Sequence, residues 1–89
     1  MDRDKIDQAI TKCRECRLCH ERKNPVPGEG GTDVTIMLVG EAPGREEDMQ
    51  GRPFVGRAGN LLDAMLQSGG LARKDVFITN AVKCRPPHN

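Results

Sequence analysis

With 89 residues and a net charge of only +1, the chain is long enough for one small domain and carries no global basic footprint for nucleic acid. It has no tryptophan, no tyrosine and two phenylalanines, and a domain of this size buries only roughly 60–65% of its unfolded surface, so the core must be thin. No apolar run approaches a membrane span and MDRDKIDQAI is unlike a signal peptide, so the expectation is a cytoplasmic protein without membrane association, whose four cysteines serve metal binding or catalysis before disulfides.

In chain order, residues 2–12 predict a short helix, with Ile6, Ala9 and Ile10 at i, i+3, i+4 on one narrow face. Cys13, Cys16 and Cys19 follow as C-x-x-C-x-x-C. Residues 24–33, NPVPGEGGTD, read as turn and loop. Thr35–Val39, TIMLV, predicts a strand buried on both faces. Gly40–Gly56 reads as a long loop. Ala58–Ser68 predicts a helix with Leu61/Met65 and Leu62/Leu66 as i, i+4 pairs, stopped by Gly69–Gly70. Val76–Thr79, VFIT, predicts a second strand, and Asn80–Asn89 is loop, with Pro86–Pro87 excluding regular structure. Strand, loop, helix and strand make a βαβ unit with parallel strands. Two parallel strands do not stand alone. The fold class expected is therefore α/β, an incomplete doubly wound parallel sheet with an N-terminal helix and a metal-binding cysteine segment. Residues 1–89 form the N-terminal part of the domain, and the unfinished sheet is open to self-association.

GEAPGREEDMQGRPFVGRAGNLL (residues 40–62) holds five glycines and two prolines. It leaves the C-terminal end of a strand, where open α/β sheets bind ligands. Gly40 and Gly44 clear side chains from the main chain there, and Gly56 and Gly59 precede a helix N-terminus. Phe54, between Pro53 and Gly56, suits a flat ring stacking on it. A glycine-rich turn with Phe54 tucked into the core accounts for the same composition. The cysteine spacing, with Cys84 downstream in CRPP, lets one turn of backbone aim several thiolates at one centre, as in iron–sulfur ligation or a structural zinc site. His20 and His88 read as solvent-facing.

This loop resembles the first signature of the family 4 uracil-DNA glycosylases, the iron–sulfur group of that superfamily. The resemblance extends through KCRECRLC, VPGEG and ITNAVKCRPPHN, and so along nearly the whole chain. It implies base excision: a deoxyuridine is flipped from uracil-containing DNA and its N-glycosidic bond is hydrolysed. By the same resemblance Phe54 stacks on the uracil, Asn80 reads its edge, and Gly40 and Glu41 meet it at the strand end. An amide can donate to a uracil carbonyl and accept from N3–H, a pattern that cytosine reverses. Glu41 is implied as the catalytic carboxylate that positions water, consistent with anionic stabilisation of an oxocarbenium-like sugar.

The resemblance also implies a structural 4Fe–4S cluster, with zinc as the alternative. Cys13, Cys16 and Cys84 match three of its ligands. The family's fourth ligand lies beyond Asn89, and Cys19 is extra, a replacement ligand or a bystander. The family's histidine–proline signature does not occur in these 89 residues, so a truncated glycosylase is the expectation. A stand-alone iron–sulfur or zinc module without catalysis is the alternative. Arg14, Arg17, Arg22 and Lys23 could instead mark a nucleic-acid-binding remnant, but without an aromatic among them a solvated charged face explains them as well.

Overall fold

The computed structural model describes residues 2–89. Its sheet has three strands in the order β1-β3-β2: β1 is Glu29–Gly30, β2 is Met37–Gly40 and β3 is Phe77–Asn80. β2 and β3 are parallel, as the βαβ pattern predicts, in the register Met37 with Phe77 through Gly40 with Asn80. β1 is antiparallel to β3 and lies within the segment read as loop. Two residues are too short to give a periodic signal, so composition hid this strand.

Three helices accompany the sheet. α1 spans Arg3–Thr11, and the Asp2 carboxylate caps it by accepting from the Lys5 amide at 3.0 Å. α2, Arg45–Gln50, falls inside the stretch expected to be loop. It starts at Gly44, whose amide donates to Glu47 Oε1 at 2.9 Å, and ends at Gly51 in the left-handed conformation (φ 72°). α3, Arg57–Ser68, ends as expected at Gly69 and Gly70: the Gly69 amide donates to the Met65 and Leu66 carbonyls, and Gly70 is left-handed at φ 78°.

α3 covers one face of the sheet. Leu66 packs with Val76 and Ile78, and Leu38, Phe54, Leu62 and Leu71 surround them. Of the two i, i+4 pairs on α3, Leu62/Leu66 faces the sheet and Leu61/Met65 is exposed. α1 approaches the opposite face. There Arg3 donates to the Gly30 and Gly31 carbonyls at 3.0 Å each and lies 4.7 Å over the Phe77 ring. Between α1 and the sheet an open cleft of about 520 Å³ remains, bordered by Ile6, Ile10, Ile36, Met37 and Phe77.

The expectation of a first strand buried on both faces is therefore corrected. Leu38 packs inward, but Met37 and Val39 are 61% and 59% exposed, because β2 is a sheet edge and α1 leaves the second face open. Among the described residues no helix is long and apolar enough to cross a membrane.

Ile78 is fully buried at the centre of the core. Ile78→Ala is expected to cost about 2–5 kcal/mol. Urea unfolding followed by far-UV circular dichroism checks it, since the chain has no tryptophan or tyrosine to report by fluorescence.

Candidate functional site

The site forms where β2 and β3 end together. Past the last paired residues, the Ala81 amide donates to the Gly40 carbonyl at 2.9 Å and the Val82 amide to the Glu41 carbonyl at 3.0 Å. These bonds hold Asn80 level with Gly40. Gly40 has no side chain where two others converge: a Cβ there would lie 2.5 Å from Asn80 Oδ1 and 2.5 Å from Phe54 Cζ. The result is a pocket of about 90 Å³ lined by Ala42, Glu47, Phe54, Ala58 and Asn80.

Each wall is fixed from behind. Asn80 is 2% exposed. The Lys83 ammonium donates to its carbonyl and to Thr79 Oγ1 (2.9 Å), and Thr79 Oγ1 donates to the Pro27 carbonyl at 2.6 Å. Burial holds the Lys83 ammonium below its ordinary pKa. Phe54 takes a left-handed backbone, φ 52°. Arg73 donates to the carbonyls of Pro53 (3.1 Å) and Phe54, and Glu47 Oε2 accepts from the amides of Val55 (2.9 Å) and Gly56 (3.0 Å). The main chain of Gly59 lies against the Phe54 carbonyl so closely that a Cβ at 59 would overlap it.

Gly40, Phe54 and Asn80 are thus brought together. The Glu41 side chain is exposed and does not line the pocket, although its main chain belongs to the strand-end ladder. Glu47 does line it and was not singled out from the sequence. The available signal was its spacing: a carboxylate three residues after Gly44, where it can reach back to the cap amide. Burial pushes the Glu47 carboxyl up, but the amides of Gly56, Val55 and Gly44 outweigh it and hold the group below its ordinary value. Glu29 is also held low, first by its hydrogen bond from Arg52 and further by Arg73.

Of the four thiols, Cys84 is buried, Cys13 and Cys19 are half-buried and Cys16 is exposed. Arg22 Nη1 donates to Cys84 Sγ at 3.0 Å. Its guanidinium is raised by that bond first, and also by the charges of Cys84, Cys19 and Cys13, so the three thiols share its neighbourhood. Among the described residues no three Cys, His, Asp or Glu side chains converge as a metal-binding group. His20 and His88 are exposed.

The fold is a small α/β unit with a pocket at the shared end of two parallel strands, and the sequence gives its family. The profile of the Uracil DNA glycosylase superfamily matches residues 27–89, and the chain belongs to that superfamily. It is 56% identical over 89 residues to the type-4 uracil-DNA glycosylase of Pyrobaculum aerophilum, a match covering 100% of this chain and 45% of that protein. The Saccharolobus solfataricus type-4 enzyme is 55% identical over 87 residues, covering 97% of this chain and 40% of that protein. A type-5 uracil-DNA glycosylase from Thermus thermophilus is more distant, at 35% identity over 120 residues, which cover 55% of its length. The chain spans less than half the length of its type-4 relatives.

Two predictions follow from this geometry. Gly40→Ala forces its methyl into Asn80 and the Phe54 ring; the helices are expected to persist by circular dichroism while the Asn80 side-chain amide signals move by NMR. Glu29 and Glu47 both have depressed pKa values, so the stability they contribute is fully present above the ordinary value of 4.5 and is lost as pH falls through the depressed ones. Urea midpoints are expected to fall as pH drops below about 4.5, and to fall less steeply in the Glu29→Gln variant.

Proposed function

We propose that this chain forms the base-recognising part of a uracil-DNA glycosylase acting on uracil in DNA. The observation that carries the reading is the convergence of the Phe54 ring and the Asn80 amide on the gap left by Gly40. The names of the type-4 relatives, at 55–56% identity, point the same way. A base must leave the DNA stack to reach such a pocket. The uracil ring lies against Phe54, and the Asn80 amide donates to a carbonyl oxygen and accepts from N3–H, which rejects cytosine. Asn80 is buried and its main-chain carbonyl is held by the Lys83 ammonium, which fixes the point from which the side-chain amide reaches the pocket.

Chemistry at the sugar then follows. The C1′–N1 bond breaks, its electron pair leaves with the uracil, and a water oxygen bonds to C1′ while the water's proton passes to a carboxylate or to solvent. Glu41, exposed at the strand end, is the carboxylate assigned to that water; negative charge there favours the cationic sugar. The two-strand parallel unit belongs to a larger doubly wound α/β domain, in keeping with the fraction of its relatives that the chain covers.

Cys13, Cys16 and Cys84, with Cys19 in the place of a fourth ligand, are the thiols that would hold a 4Fe–4S cluster; they do not converge in this structure and would have to draw together on binding it. Four soft thiolates suit it, as they suit zinc, and the Arg22 cation beside Cys84, Cys19 and Cys13 offsets their charge. When bound, the cluster supplies cohesion to a chain with a thin core. Native mass spectrometry on protein purified without oxygen is expected to report four irons and four sulfides per chain, lost in Cys84→Ser; a zinc mass would replace the cluster with zinc in this reading.

Excision of uracil from a labelled oligonucleotide by this chain tests the function. Release of uracil and no release of cytosine is the expected outcome. Asn80→Asp replaces the amide donor with an acceptor, which a uracil carbonyl cannot use and a cytosine amino group can, and is expected to erode the preference for uracil over cytosine in a base-competition assay. An unchanged preference removes Asn80 from the recognition role.

A further inference from the structure

We infer that Glu47 and Arg73 form a two-charge clamp whose role is to position Phe54 for base stacking; the inference rests on the uracil-binding reading of the pocket. Four consecutive residues, Pro53 to Gly56, have main-chain groups taken by these two side chains. Arg73 takes the carbonyls of Pro53 and Phe54, and Glu47 takes the amides of Val55 and Gly56. A peptide normally finds such partners in a helix or a strand. Here Phe54 sits between the two charges at φ 52°, a left-handed backbone that a bulky residue adopts only where its surroundings over-determine it.

The clamp is itself held rigidly. Arg73 Nε pairs with Asp63 at 2.6 Å and Arg73 Nη1 with Glu29 at 3.2 Å, and Glu29 also takes Arg52 at 2.6 Å. The second Glu47 oxygen is fixed by the Gly44 amide. Both Glu47 oxygens are therefore committed to main-chain donors although the residue lines the pocket, which leaves it to act through the loop. With the backbone of Phe54 fixed, its ring stands against Gly40 and Asn80 before any base arrives. Preorganisation of this kind raises affinity by removing the ordering cost of binding. Glu47 and Arg73 are positioning residues, since each acts through Phe54.

The test uses NMR on the isotopically labelled chain, with free uracil as probe. In the unaltered chain the Phe54 ring is expected to show cross-relaxation to the Gly40 α-protons. Glu47→Gln places an amide against main-chain donors, and Arg73→Lys keeps the charge but loses the fork that spans two carbonyls. In both, the Phe54–Gly40 signal is expected to vanish, the β2 and β3 amide shifts to stay, and the uracil Kd to rise about tenfold or more. In a Phe54→Leu background, neither change is expected to weaken binding further. Retention of the Phe54–Gly40 signal in both variants overturns the clamp. So does an equal loss of affinity in the Phe54→Leu background, which would mark a general structural role. If Glu47→Gln unfolds the chain, Arg73→Lys, which keeps a cation beside Asp63 and Glu29, decides alone. If the unaltered chain binds no uracil but the signal is present and the variants abolish it, the uracil reading fails and the clamp stands.

Discussion

Gly40 and Asn80 face each other across the last rung of the β2–β3 ladder, and the amides of Ala81 and Val82 carry the bonding two residues further. Side chains in a strand alternate faces, so a slip of one residue would turn Asn80 away from the pocket and bring Thr79 or Ala81 to its place. The register is therefore the quantity on which the pocket depends. It is set by the alternation of Val76 and Ile78 against α3 and by Phe77 under Arg3 on the opposite face. Hydrophobic burial thus selects the register, and the register delivers a polar side chain to the strand end.

The core that does this is small: Val26, Leu66, Val76, Ile78 and Cys84 are its buried apolar residues. Such a core cannot also dictate the shape of the loop between β2 and α3, where the residues are mostly charged or glycine. Charge fixes that shape instead. An exposed ion pair contributes little, but Arg73 and Glu47 are half-buried and bond to main chain rather than to each other. A main-chain group left unmade in a half-buried loop is costly, so each of these bonds excludes alternative loop conformations more than it adds net stability. The loop is ordered by the need to satisfy its own peptides.

The parallel pair, α1, α3 and its glycine stop were legible in the sequence because each has a periodic pattern or a residue with one strong backbone preference. Gly40, Phe54 and Asn80 were singled out through resemblance; the structure brings them together, and the close approach at Gly40 gives a physical reason for the glycine. α2 was not legible: REEDMQ has no apolar face, and its start is set by one carboxylate reaching back to Gly44. Glu47 and Arg73 escaped for a related reason. Their partners lie 8 to 20 residues away and are main-chain groups, which leave no trace in side-chain pattern. The exposure of Met37 and Val39 was hidden as well, because an apolar run states that a face can be buried and not what covers it.

The cysteine segment meets this loop through the backbone rather than through the pocket. Among the described residues no thiol lines the pocket. Residues 22–26 instead lace the two supports of the pocket together. The buried Asp48 carboxylate on α2 accepts from the main-chain amides of Lys23 (2.9 Å) and Asn24 (3.3 Å), and the Asn24 side-chain amide also donates to the Asp48 carbonyl at 2.9 Å. Two residues later the Val26 amide donates to the Lys83 carbonyl at 2.7 Å, beside Cys84 and the ammonium that braces Asn80. Arg22 closes the same circuit at Cys84. A group held by these thiols would tighten one strap that runs from α2 to the turn behind Asn80. Its effect on the pocket would then be mechanical, exerted on the spacing of the two walls, with no need for a thiol to line it.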